Sequence, residues 1–219
     1  MPYRYHRKPP HLYTDDEIAR LLRAAAKLPS KTRLRARSYT TLLGLLLVTG
    51  MRISEVVGLD RNDVDLANAV VTVRRTKFGK SRLVPLHIST RQALEGYVEK
   101  RDQILPKPTT TSFLVSEDGR RLTVNTVEQT FVKLSRRVGL RAPSDRRGPR
   151  LHDIRHHFAV RTLLRWYRAG IDVEVNLPRL STYLGHVHVT DTYWYLSASP
   201  ELMRAVAARL EQRSEGRPA

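Results

Sequence analysis

The chain has 219 residues, no cysteine, and 39 lysines and arginines against 21 aspartates and glutamates, for a formal net charge of +18. The lack of thiols excludes a disulfide framework and a cysteine-ligated zinc site, and a hydrophobic content of 41% excludes a chain disordered throughout. Basic residues run from Arg4 to Arg217 instead of gathering in a tail, so the charge predicts a folded surface for a polyanion, nucleic acid ahead of a ribosomal-type or membrane-surface role.

Residues 1–13 hold Pro2, Pro9 and Pro10 among basic side chains and show no periodicity, which predicts a linker or arm. Thr14-Asp15-Asp16-Glu17 reads as a capping box, and Ile18, Leu21, Leu22, Ala25 and Ala26 follow it at helical spacing. A second helix is expected over residues 35–48; its run from Leu42 to Leu47 is apolar nearly all round, as a core helix would be. Gly50 should end it in the left-handed conformation, with a short helix over 53–59 behind it. Residues 69–73 and 82–86 predict a β-hairpin with a basic tip over 76–81, and 112–115 a third short strand before the turn at Glu117-Asp118-Gly119.

The second half reads as helical. Val124, Val127, Phe131, Leu134 and Val138 fit one face, and Val160, Leu163, Leu164 and Tyr167 fit another on a helix starting near His152. Residues 141–150, with four arginines, form a basic loop. Leu184-Gly185 ends a short helix, and Ser199-Pro200 opens a last one through Met203, Val206 and Leu210. The expected fold is a single α+β domain over 14–212, mostly helical with a small antiparallel sheet, followed by a tail over 213–219. The longest apolar stretch, 42–48, is too short to span a membrane, and the N-terminus shows no apolar signal region. A soluble, cytoplasmic protein without membrane partners is therefore expected.

Three separated motifs carry the chemistry: Thr49-Gly50-Met51-Arg52-Ile53-Ser54-Glu55, His152-Asp153-Ile154-Arg155-His156 and Leu184-Gly185-His186, with Tyr195 nine residues beyond His186. Arginine suits a phosphodiester, because its planar fork binds phosphate oxygens bidentately and stays charged. Histidine or lysine can move protons, and a tyrosine nucleophile stores the cleaved bond as an ester that can be reversed without a nucleotide cofactor. Arg52 at a helix start and Glu55 on the same face form a pair that, alone, is an ordinary helical salt bridge. A lone Tyr195 among Tyr193, Trp194 and Leu196 is an ordinary core aromatic. A metal site built on His152, His156, His157, His186 and His188 lacks any accompanying carboxylate spacing. Only the conjunction is specific.

That conjunction closely resembles the catalytic domain of the tyrosine recombinases, the phage integrase family, over about residues 12–212. The segment from Lys77 to Leu86 is similar to their catalytic hairpin, in which a lysine precedes a Val-Pro-Leu strand by seven positions, and this register selects Lys77 over Lys80. The resemblance implies that Arg52, Arg155 and His186 hold the scissile phosphate and that His152 assists proton transfer. Lys77 would protonate the leaving 5′ oxygen, Tyr195 would attack, and Glu55 would support the site. It implies double-stranded DNA as substrate, no metal or other cofactor, a tetrameric synapse on DNA and a monomer without it. The family's separate N-terminal DNA-binding domain is expected to be missing, since the chain opens where the interdomain linker would stand. Two other functions fit the same residues less well: a type IB topoisomerase-like activity, and a catalytically silent DNA-binding regulator, which would have no use for a nucleophile.

Overall fold

The computed structural model describes residues 10–74, 81–186, 188, 190–197, 201–204 and 206–207, with the backbone alone at 194, 196 and 197. Helix α1 (Asp15–Ala26) begins at the expected capping box: Thr14 Oγ1 accepts from the Glu17 N–H, and Glu17 answers on the Thr14 N–H. Helix α2 (Leu34–Thr49) runs through the centre, with Leu42, Leu43, Leu45 and Leu46 each at most 2% exposed. Its C-cap is Gly50, at φ 61°, as the sequence predicts. A side chain there would be strained by the backbone and would strike the Phe158 ring.

Helix α3 (Ile53–Gly58) restarts two residues later and leads through a 3-10 turn into β1 (Val64–Asp65). Strands β2 (Val70–Val73) and β3 (Arg82–Pro85) complete an antiparallel sheet of order β1-β2-β3. In this register Val71 faces Val84 and Val73 faces Arg82. Side chains alternate along a strand, so Arg82 points to the same side as the buried Val84. Of the basic hairpin tip expected over 76–81, residues 76–80, Lys77 among them, lie outside the described residues.

Helix α4 (Ile88–Ile104) is an element that the periodicity does not announce. The strand expected over 112–115 is a correction: the segment makes only two isolated bridges, Asp60 to Ser112 and Val115 to Arg121. The Phe113 N–H donates to the Leu59 carbonyl and the Ser112 hydroxyl to the Leu114 carbonyl, so no neighbour stays alongside for long enough to build a ladder. Helices α5 (Val124–Arg137), α6 (Leu151–Arg168), α7 (Val173–Leu184) and α8 (Thr190–Ser197) follow, and residues 201–204 and 206–207 are also helical. The N-cap expected at Ser199-Pro200 lies outside the described residues.

The core has two parts. One surrounds α2 and takes in α1, α3, the sheet, α4, α5 and the start of α6; the other joins the rest of α6 to α7, α8 and Leu202. Helix α6 belongs to both, through Leu151 and Ile154 on one side and Ala159, Val160 and Leu163 on the other. Arg155 therefore sits where the two clusters meet. The segment just before α1, expected as arm, packs against the same body: Tyr13 is 3% exposed and its hydroxyl donates to the Arg150 carbonyl. Among the described residues no helix is long and apolar enough to cross a membrane.

Candidate active site

Two helices end at glycines that turn left-handed, α2 at Gly50 and α7 at Gly185. The last carbonyls of a helix lack intrahelical partners and carry the negative end of its dipole. Arg155, on the first turns of α6, spans both ends: Nη1 donates to the Gly50 carbonyl at 2.9 Å and Nη2 to the Leu184 carbonyl at 2.6 Å. Its side chain is thereby fixed although only 2% of the residue is exposed. Burial, and then the nearby Arg52 charge, push Arg155 down to about 10, which still leaves it cationic at neutral pH.

Arg52 occupies the N-cap of α3 and reaches across to the second glycine turn, where Nη2 donates to the Gly185 carbonyl at 3.1 Å. Glu55 holds it from below, accepting from Nη1 at 2.9 Å and from the Arg52 backbone N–H at 2.8 Å. The expected pairing of the two residues is present. An N–H at a helix start is free to face an anion beside the guanidinium; here Glu55 takes it instead. Burial acts to raise the Glu55 carboxyl, yet hydrogen bonds from Arg82 and Arg52 outweigh it and hold the group below its ordinary value. Arg82 is the partner that sequence reasoning missed. The available signal was strand parity, which places it on the inward side with Val84.

Tyr195, on α8, is 2% exposed, whereas Tyr193 is 50% exposed. Burial raises the Tyr195 phenol above its ordinary value, and the charge and hydrogen bond of Arg155 offset only part of that rise. Two imidazoles flank this phenol, and a third flanks one of them. His186 lies nearly parallel to it at 5.9 Å between ring centroids, His156 meets it edge-on at 5.3 Å, and His152 meets His156 edge-on at 4.6 Å. His186 Nδ1 is 2.8 Å from the Thr192 hydroxyl, which fixes the ring between α7 and α8. Burial, then Arg155 and Arg52, hold His186 near 4; burial and then His152 hold His156 near 3; burial and Arg155 lower His152 as well. All three are neutral at neutral pH. A neutral imidazole can accept a proton, and a rigid pair of arginines can receive an anion.

The fold thus brings Arg52, Glu55, His152, Arg155, His186 and Tyr195 together from three helices and one glycine turn. Lys77 belongs to the segment outside the described residues. An open groove of about 510 Å³ lies elsewhere, between α1, α2, α4 and α6, and none of the expected site residues lines it.

The profile described as the phage integrase family matches residues 12–201. A protein of Sinorhizobium fredii (strain NBRC 101917 / NGR234), y4rB, to which an integrase/recombinase role is ascribed by name, is 50% identical over 221 residues, which cover 99% of this chain and 70% of y4rB. The tyrosine recombinase XerD of Mycobacterium tuberculosis (strain ATCC 25618 / H37Rv) is 33% identical, covering 95% of this chain and 63% of XerD. The chain therefore spans 63 to 70% of the length of these relatives. Among solved structures, the crystal structure of XerA recombinase superposes with a TM-score of 0.70 at 24% identity, covering all of this chain and 68% of that one. The Tn1549 transposon integrase in complex with transposon right end DNA superposes at 0.69 with 20% identity, covering 94% of this chain and 67% of that one. At these identities the two structures speak for the fold.

Proposed function

Because the chain belongs to the phage integrase family of tyrosine recombinases, we propose that it performs site-specific recombination, breaking and rejoining DNA through a phosphotyrosyl bond at Tyr195. The observation that carries this reading is the buried Tyr195 phenol in hydrogen-bonding contact with Arg155, beside His186 and His156. In the proposed reaction the Tyr195 oxygen attacks the scissile phosphorus, and the bond from phosphorus to the 5′ oxygen breaks. The product is a 3′-phosphotyrosyl ester and a free 5′ hydroxyl. Arg52, Arg155 and His186 meet the non-bridging oxygens, where preorganised donors act most strongly on the developing charge. His152 assists removal of the phenolic proton, and Lys77 gives a proton to the 5′ oxygen. Attack by a 5′ hydroxyl from a second strand reverses the steps and exchanges partners, with no nucleotide cofactor. The substrate is double-stranded DNA in the cytoplasm, the protein is a monomer before binding, and the exchange takes place in a tetrameric synapse on the DNA.

The test is a nicked duplex that, on cleavage, loses the short fragment bearing the new 5′ hydroxyl and so traps the covalent adduct. Wild type and Tyr193→Phe should form the adduct, and Tyr195→Phe should bind DNA without forming it. Loss of the adduct in Tyr193→Phe with retention in Tyr195→Phe would move the nucleophile by two residues. No adduct from any variant, wild type included, would remove the cleavage reading.

A further inference from the structure

Glu55 sits between two arginines. Its Oε1 accepts from Arg52 Nη1 at 2.9 Å and from Arg82 Nη1 at 3.0 Å, and its Oε2 accepts from the Arg52 N–H at 2.8 Å and from Arg82 Nη2 at 2.7 Å. Four donors fill the acceptor capacity of a carboxylate. The Arg82 and Glu55 side chains are 11% and 8% exposed, against 34% for Arg52. Arg82 also packs against the third motif: its Nη1 lies 2.8 Å from where a Cβ on Gly185 would stand, and Gly185 has φ 70°. One side chain from β3 thus touches the carboxylate that holds Arg52 and the turn whose carbonyl Arg52 also binds.

We propose that Arg82 is a positioning residue for strand cleavage: by occupying both Glu55 oxygens and balancing their charge, it keeps the Arg52 guanidinium available to the scissile phosphate. The inference rests on the reading that Arg52 holds that phosphate. Two guanidinium charges against one carboxylate leave a net positive charge for an anion. Without Arg82, a buried carboxylate would face Arg52 alone, the pair would be neutral, and Glu55 would draw Arg52 into its own bidentate fork. The geometry makes the division of labour plain. The more exposed arginine faces outward to substrate, and the buried one, on the hairpin's inward face, never meets it.

The experiment compares single-turnover cleavage of the nicked duplex, DNA affinity and thermal melting for Arg82→Gln, Arg82→Lys, Glu55→Gln, the Arg82→Gln/Glu55→Gln double variant and Arg52→Ala. Arg82→Gln should slow cleavage by roughly tenfold to a hundredfold, as for loss of a preorganised transition-state interaction, with DNA affinity changed by less than about twofold because the residue is not on the surface. Arg82→Lys keeps the charge and loses the fork, and should recover part of the rate. The double variant should cleave at least as fast as Arg82→Gln, because the unbalanced carboxylate is gone. A purely structural role predicts the opposite: two losses that multiply, Lys no better than Gln, and rates that follow the melting temperature. That pattern, or a wild-type rate in Arg82→Gln, overturns the inference. A wild-type rate in Arg52→Ala would instead sink the assignment of Arg52, which is a separate result.

Discussion

Arg155 joins a structural position to the chemistry proposed for the site. Its guanidinium closes two helix ends and lies in hydrogen-bonding contact with the phenol of Tyr195. A lysine would keep a positive charge but offers a compact ammonium in place of a planar fork. Arg155→Lys should therefore leave at least one of the Gly50 and Leu184 carbonyls short of a donor and misplace the charge. We expect it to slow adduct formation about a hundredfold, roughly 3 kcal/mol of transition-state stabilisation, and to lower the melting temperature. Cleavage within about threefold of wild type, a loss of under 1 kcal/mol, would mean that charge alone suffices at this position. The residue types of the candidate site were legible in the sequence because phosphate chemistry favours a few side chains, and their intervals were legible through the resemblance to the family. Strand parity could place Arg82 on the inward side, but its partner was not legible, since that depends on Glu55, twenty-seven positions away, offering a second oxygen.

Elements were legible where one local interaction defines them. The Thr14–Glu17 capping box and the glycines at 50 and 185 mark helix ends by short-range stereochemistry, and the apolar run in α2 announces its own burial. Helix α4 escaped because its buried face is Leu94, Tyr97 and Arg101, and an arginine breaks an apolar periodicity. The Arg101 guanidinium is buried by lying 5.8 Å and 5.4 Å from the centroids of Tyr97 and Phe113 and by donating to the Phe113 carbonyl at 2.8 Å. That arrangement requires a segment a dozen residues downstream. The N-terminus of α2 is non-local in the same way. Arg33, its N-cap, makes no side-chain cap, and Glu117 supplies one from the far turn, accepting from the Arg35 N–H at 3.1 Å, the Thr32 N–H at 2.7 Å and both the Ser30 and Thr32 hydroxyls. Burial works to raise the Glu117 carboxyl, but these hydrogen bonds prevail and bring it down to about 2. A carboxyl lowered by folding stabilises the fold above its unfolded value of 4.5 and loses that contribution as pH falls toward 2. Glu117→Ala should cost about 0.5–2 kcal/mol at neutral pH, in the range of a lost helix cap. The gap between wild type and Glu117→Ala in denaturant melts should narrow between pH 4.5 and 2; a gap independent of pH would show that the charge contributes nothing.

At the scale of the whole molecule two kinds of charge act separately. The first is internal and opposes acid. Burial, ahead of neighbouring charges, holds His156 near 3 and His157 and His186 near 4, against an ordinary value of 6.5. Between pH 6.5 and 4 the unfolded chain binds protons that the folded one refuses, so stability must fall as pH falls through this window. Urea melts should show that slope without DNA, and a flat profile from about pH 7 to 5 would mean that these histidines bind protons alike in the folded and unfolded chain. The second is the formal net charge of +18. Arg146 and Arg147 are exposed in the loop that leads directly into His152, while Arg141 braces that loop from within by donating to the Gly148 carbonyl at 3.2 Å and to the Pro149 carbonyl. If this loop meets the DNA backbone, each such arginine displaces a condensed counterion, and the logarithm of affinity falls with the logarithm of salt by about 0.9 per phosphate neutralised. Replacing Arg146 and Arg147 by alanine should then make the slope shallower by about one unit for each phosphate left without its arginine, by the same amount on every duplex sequence. Tyr195→Phe removes no charge and should leave the slope unchanged. A slope that Arg146→Ala/Arg147→Ala does not alter would take the loop off the DNA, and a change confined to one duplex sequence would mean that these arginines read bases instead of phosphates.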